Sequence, residues 1–175
     1  LRMKSDAHLL LPPPLEAAVM RVKRAVRSAA ERTIESLGLA VMAASGSNRE
    51  ALQSGQYELN RKLPAFLQAF GDAFDDQVGR ECHPRRHADG RNTSGYSAWQ
   101  DLGLVDDHDV EVKVLAERFA MEITHICEWE LRELEAYVGS VLGHARAERE
   151  RNPLRPEIVG QGVIRGLETV IDRAD

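Results

Sequence analysis

The sequence predicts an all-α fold, a bundle of about five helices with two long antiparallel members, and three observations predict it. Apolar residues recur at steps of three and four along most of the chain, and no segment alternates with the period of a strand. Aromatic residues make up only 5% of the chain, so Leu, Val, Ala and Ile fill the core, which suits helix-on-helix packing. Helix-start and helix-stop residues punctuate the periodic stretches.

Residues 1–13 read as a tail or linker, and 14–175 as one helical domain. The apolar run Leu9–Leu11 is too short for a signal peptide and stops at Pro12-Pro13-Pro14. The chain starts at Leu1 without a Met, which suggests a piece of a longer protein. The first helix is expected at 14–44, opened by a proline and marked by Leu15, Val19, Val22, Val26, Ala29 and Ala30, with Arg21, Arg24 and Arg27 opposite. Its phase shifts at Ile34, Leu37 and Val41. Gly38 costs roughly 1 kcal/mol against Ala, so a bend is expected there.

Gly46 suits a left-handed cap, and Ser47 or Asn48 an N-cap. A weaker second helix is expected at 49–62. A third opens at Pro64 and carries Phe66, Leu67, Phe70, Phe74 and Val78, a row holding all but one of the four phenylalanines. Residues 79–98 contain Gly79, Pro84, Gly90 and Gly95 in a polar, aperiodic run, and are expected to form a mobile internal loop. The fourth helix starts near Asp106 or Asp107, where acids match the positive end of the helix dipole. Its expected buried row begins at Val110 and Val114, continues through Phe119, Ile123, Ile126 and Cys127, and extends to about residue 148, with a break possible at Gly139 or Gly143. Asn152-Pro153-Leu154-Arg155-Pro156 is a turn and a new start, leading into a fifth helix with Ile158, Val163, Leu167 and Val170 inward.

The segment Leu102-Gly-Leu-Val-Asp106-Asp107, the helix after it and the Asn152–Pro156 element resemble a bacterial family catalogued as domain of unknown function 1631. That family has a Leu-x-Leu-Val-Asp segment followed by acids, then an Asn-Pro-aromatic/Leu-Gly-Pro element. This chain departs from it at Arg155, where Gly is more usual. The resemblance is close over 99–171 and rests on helical layout over 14–78. It implies the helical N-terminal region of a long proteobacterial protein and implies no activity.

Charge and composition narrow the function. The net charge of −5 argues against a dedicated nucleic-acid binder, which needs excess Lys and Arg to replace counterions on phosphates. No apolar run reaches the length of a membrane span, and Cys82 and Cys127 form no disulfide framework, so a cytoplasmic setting is expected. Several groups carry the residue types of a site. Asp106, Asp107, His108, Asp109 and Glu111 lack the alternation and glycine of a calcium loop and read as a helix start. Glu122 and His125 form a single Glu-x-x-His step, whereas a di-iron bundle uses two plus further Glu residues. Cys82, His83, His87 and Cys127 offer ligands zinc accepts, at a spacing no common site uses. Arg80, Arg85, Arg86 and Arg91 with Asn92-Thr-Ser94 resemble the pattern of PilZ-type cyclic-di-GMP binders, yet Ser97 stands where that motif needs Gly and the sequence shows no strands for its β-barrel. Arg85, Arg86, Arg91 and Trp99 are left as a loop for an anion or an acidic partner.

The sequence therefore points to a scaffolding or protein–protein interaction module of a larger cytoplasmic bacterial protein. No catalytic residue, cofactor, metal, nucleic acid or membrane insertion is expected. The partner would be another protein, the rest of the parent chain, or a second copy. The alternative is a ligand- or metal-binding sensor, with a nucleotide or other anion at the Arg-rich loop or a metal at Glu122 and His125.

Overall fold

A computed structural model describes residues 11–82, 107–143 and 152–171. Among them the chain is all-α and holds five helices, with no strand. These are α1 (Pro13–Ala43), α2 (Gly46–Cys82), α3 (Asp107–Ile126), α4 (Glu128–Val141) and α5 (Pro156–Glu168).

The two long antiparallel members are α1 and α2, with 31 and 37 residues, rather than the first and fourth helices as the sequence suggested. They form a hairpin closed by Ala44, Ser45 and the left-handed Gly46, whose φ of 60° an L-residue resists. Lys23 pairs with Asp75 at 2.5 Å, and the Gln56 amide donates to the Ile34 carbonyl at 3.2 Å. Gly38 makes room for that amide, since a Cβ there would meet Gln56 Nε2 at 2.6 Å. Gly38 serves the contact between helices, and α1 continues past it to Ala43.

The expected second and third helices are one. Pro64 lies inside α2, where a missing N–H and a ring clash cost about 3 kcal/mol. Both Pro64 and Asn60, whose carbonyl loses its donor, face solvent, so water can serve that carbonyl. Leu59 and Phe66 are buried on either side, and each contributes roughly 1.5–3 kcal/mol. Packing thus outweighs the proline. It also carries α2 through 79–82, the start of the span expected to be a loop, with Val78 and Gly79 buried. Residues 83–98 lie outside the described residues.

The expected long fourth helix is two. It starts at Asp107 as anticipated, bends at Cys127 (φ −122°, ψ 33°) and ends at Val141, followed by the left-handed Gly143 with φ 70°. The bend sits where the packing partner changes. Val112, Ala116 and Ala120 are buried on the α3 side, whereas Val138 of α4 joins Leu15 and Val19 of α1. Residue 148 lies outside the described residues.

The core has two joined parts. Leu15, Val19, Phe70, Phe74, Val78, Val138, Leu154 and Ile158 form the larger, in which the Phe70 and Phe74 rings stack 5.5 Å apart. Ala30, Leu59, Phe66 and Val170 form the smaller. Helix α5 lies against both α2 and α3. Its register on α2 is antiparallel: Gly162 meets Phe70, Gly166 meets Phe66, and Lys62 donates to the Val170 carbonyl at 3.1 Å. A Cβ on Gly160 would stand 3.0 Å from the Ala116 carbonyl of α3, so small residues on both helices bring their backbones together.

The turn before α5 is built by Asn152, only 3% exposed, whose Oδ1 accepts the Leu154 N–H at 2.9 Å. Arg155 has φ −63° and ψ 150°, a conformation open to any residue, so the position needs no glycine. Its guanidinium bridges Glu81 of α2 at 2.8 Å.

Candidate interaction face and polar cleft

Helix α3 is apolar on two sides. Its inner side presents Val112, Ala116 and Ala120 to the core, whereas Val110 and Val114, expected inside, are exposed together with Met121. The physical reason is the glycine-rich α5: a backbone that approaches so closely selects alanine rather than a larger side chain opposite it. A second group of exposed apolar side chains lies at the bend and along α4. Ile126 is 76% exposed, Trp129 70% and Tyr137 52%, against the expectation that Ile126 faces the core. Trp129, Glu133 and Tyr137 follow one another at steps of four, so they share one face of α4, with Glu130 beside them and Ile126 at the end of α3 just before the bend.

The charges around this face are acidic. Arg132 is held by Glu128 at 2.6 Å, and no cation among the described residues pairs with Glu130 or Glu133. Glu122 and His125 lie on the exposed side of α3, one turn apart, so the step expected from the sequence is present as a surface pair. Among the described residues, no group of three or more His, Cys, Asp or Glu is arranged to hold a metal ion.

Cys82 packs against the larger core, where burial first and the neighbouring Glu81 carboxylate second push its thiol up to about 11. Cys127 is half-buried at the bend. The side chain of Asp107, and all of Asp106, His83, His87, Arg85, Arg86, Arg91 and Trp99, lie outside the described residues. Arg80, shortly before Arg85 in sequence, is exposed on α2 and bound to Asp76 at 2.5 Å.

Two clefts accompany the face. A polar one of about 400 Å³ lies between α2, α3 and α5, lined by Asp76, Gln77, Arg80, Lys113, Gln161 and Arg165. Its arginines are matched, Arg80 by Asp76 and Arg165 by Glu168 at 3.4 Å. An apolar one of about 520 Å³ opens between Leu37, Leu59, Leu167, Val170 and Ile171. At its edge Glu58 binds Arg61 at 2.7 Å and Lys62 at 3.4 Å. Hydrogen bonding from Arg61, and then from Lys62, holds the Glu58 carboxyl below the usual glutamate range despite the opposing effect of desolvation.

The molecule is thus an all-α domain whose second and third helices pack on a glycine-bearing fifth helix, with apolar side chains of α3 and α4 left outside. The chain belongs to the family described as protein of unknown function (DUF1631), N-terminal domain, whose model matches residues 15–170. That match takes in α1 and α2 as well as the elements that carried the resemblance. Compared with the curated proteins and with the solved structures, the chain matches none. No helix among the described residues is long and apolar enough to cross a membrane.

Proposed function

We propose that this domain is a protein–protein interaction and scaffolding module of a larger protein, without a catalytic role of its own. The observation that carries this reading is the outer face of α3 and α4. Ile126, Trp129 and Tyr137 stand in solvent while the same helices send Val112, Ala116, Ala120 and Val138 into the core. Contiguous apolar and aromatic surface of this kind marks contact sites, and Trp and Tyr are the side chains that most often dominate them. The bent α3–α4 pair is anchored at one end by Ala116 against Gly160 of α5 and at the other by Val138, which shares a core cluster with Leu15 and Val19 of α1.

The test is photo-crosslinking in the full-length protein in its own cells. A photoreactive residue is placed at 129 or, as a control, at the exposed α2 position 53. The reading expects discrete protein adducts from 129 and none of matching mass from 53. A smear of equal intensity from both positions, or no adduct from 129, would overturn it.

A further inference from the structure

We infer that the outer face of α4 docks a basic amphipathic helix of a separate partner protein; this rests on the interaction-module reading and names the class of partner. Trp129 and Tyr137 stand eight residues apart on α4, roughly 12 Å at 1.5 Å per residue, and Ile126 at the end of α3 adds a third apolar side chain just across the bend. That is the footprint of a helix in a groove or on a face, read by anchors at helical spacing, and not of a single loop tip. Glu130 and Glu133 stand on the same face, and no cation among the described residues neutralises them. Glu128, by contrast, is occupied by Arg132.

Charge decides between occupants. A second copy laid face to face would set Glu130 and Glu133 against themselves, and like charges at an interface cost several kcal/mol. A second copy using its basic α1 side, Arg21, Arg24 and Arg27, offers only Met20 beside those arginines, because Leu39 and Met42, the other large exposed apolar side chains described on α1, stand 12 and 15 residues beyond Arg27, roughly 18 and 22 Å along the helix. Met20 alone cannot cover an Ile, a Trp and a Tyr. A helix with an apolar stripe edged by Lys or Arg satisfies both demands, and its arginines can also stack on the Trp129 and Tyr137 rings.

The probe is a synthetic helix of about 18 residues, roughly five turns, with Leu at steps of three and four and Lys elsewhere. Its counterpart has Glu for every Lys. Substitution of Trp99 by Phe leaves Trp129 as the sole tryptophan of the 175-residue chain, so its emission reports the face directly. The Leu/Lys helix is expected to shift that emission to the blue with one-to-one saturation. Glu130→Lys with Glu133→Lys should weaken binding by about tenfold or more, and added salt should weaken it further. Calorimetric titration of the unsubstituted chain checks the same stoichiometry without relying on the Trp99 variant. Equal binding of the Leu/Glu helix, or no shift with either helix, overturns the inference. So does a blue shift that grows with protein concentration in the absence of peptide, which assigns the face to a second copy. Discrete adducts from position 129 alongside a failed Leu/Lys titration would leave the module reading standing and remove only this partner class.

Discussion

The ring of Phe66 occupies the place where a side chain on Gly166 would begin: a Cβ built there would lie 2.8 Å from Phe66 Cδ2 and 3.0 Å from the Phe66 carbonyl oxygen. One turn back, Gly162 stands in the same relation to Phe70 at 3.0 Å. These two pairs, with Lys62 on the Val170 carbonyl, fix how α5 sits on α2.

Gly166→Ala should therefore destabilise the domain by about 1–3 kcal/mol, because a backbone oxygen as well as a ring must move. Gly55, on the same α2 helix with nothing within 4 Å of its would-be Cβ, supplies the contrast. Gly55→Ala should stabilise by about 0.5–1 kcal/mol through helix propensity. Urea unfolding of both variants reads the difference; equal effects would show that the approach of α5 is looser than described.

Pro64→Ala should raise stability by about 1–3 kcal/mol. Alanine restores the N–H that α2 lacks at this exposed interior position and removes the ring clash. Thermal melting reads this as a shift of about 2–4 °C per kcal/mol for a chain of this size. Were 49–62 and 64–78 separate helices, a proline at a helix start would favour folding, and the substitution would lower the midpoint.

Asn152→Ala should cost about 1–3 kcal/mol, since it leaves the Leu154 N–H without its acceptor in a buried turn. Arg155→Ala removes a partly exposed bridge to Glu81 and should cost about 1 kcal/mol or less. Chemical denaturation in which the two variants reversed order would contradict the assignment of Asn152 as the organiser of the turn.

Cys82 should alkylate slowly. With its thiol raised to about 11, the thiolate fraction at pH 8 falls about 100-fold below that of a thiol that ionises at 9.0. The rate should climb about tenfold per pH unit until the thiol ionises. The sign for stability follows from linkage. The unfolded thiol ionises near 8.5, roughly the free value, and the folded one near 11, so the unfolded state holds fewer protons in that window. Stability should fall as pH rises from about 9 to 11, and Cys82→Ala should flatten that part of the profile.

The fold class was legible because helix periodicity survives averaging over long stretches. The start of α3 at Asp107 and the turn at Asn152 were legible because their residues act locally, through acids at a dipole and an Asx turn. What failed was non-local. Whether Pro64 starts or interrupts a helix depends on Leu59 and Phe66 finding the same neighbours on both sides of it. The inward side of α3 was assigned to the larger apolar residues Val110 and Val114, when Val112, Ala116 and Ala120 face the core. The signal present in the sequence was Gly160, whose missing side chain lets the backbone of α3 come close at Ala116. The exposure of Trp129 is non-local for the same reason, since it depends on how α3 and α4 are turned against the core.

The most direct test of the outer face is the unfolding free energy of the paired variant Ile126→Ser with Trp129→Ser. If these side chains belong to a contact surface and not to the folding core, stability should change by no more than about 0.5 kcal/mol. A loss of about 3 kcal/mol or more, the size expected for truncating a buried Trp, would place them in the core and contradict the docking face.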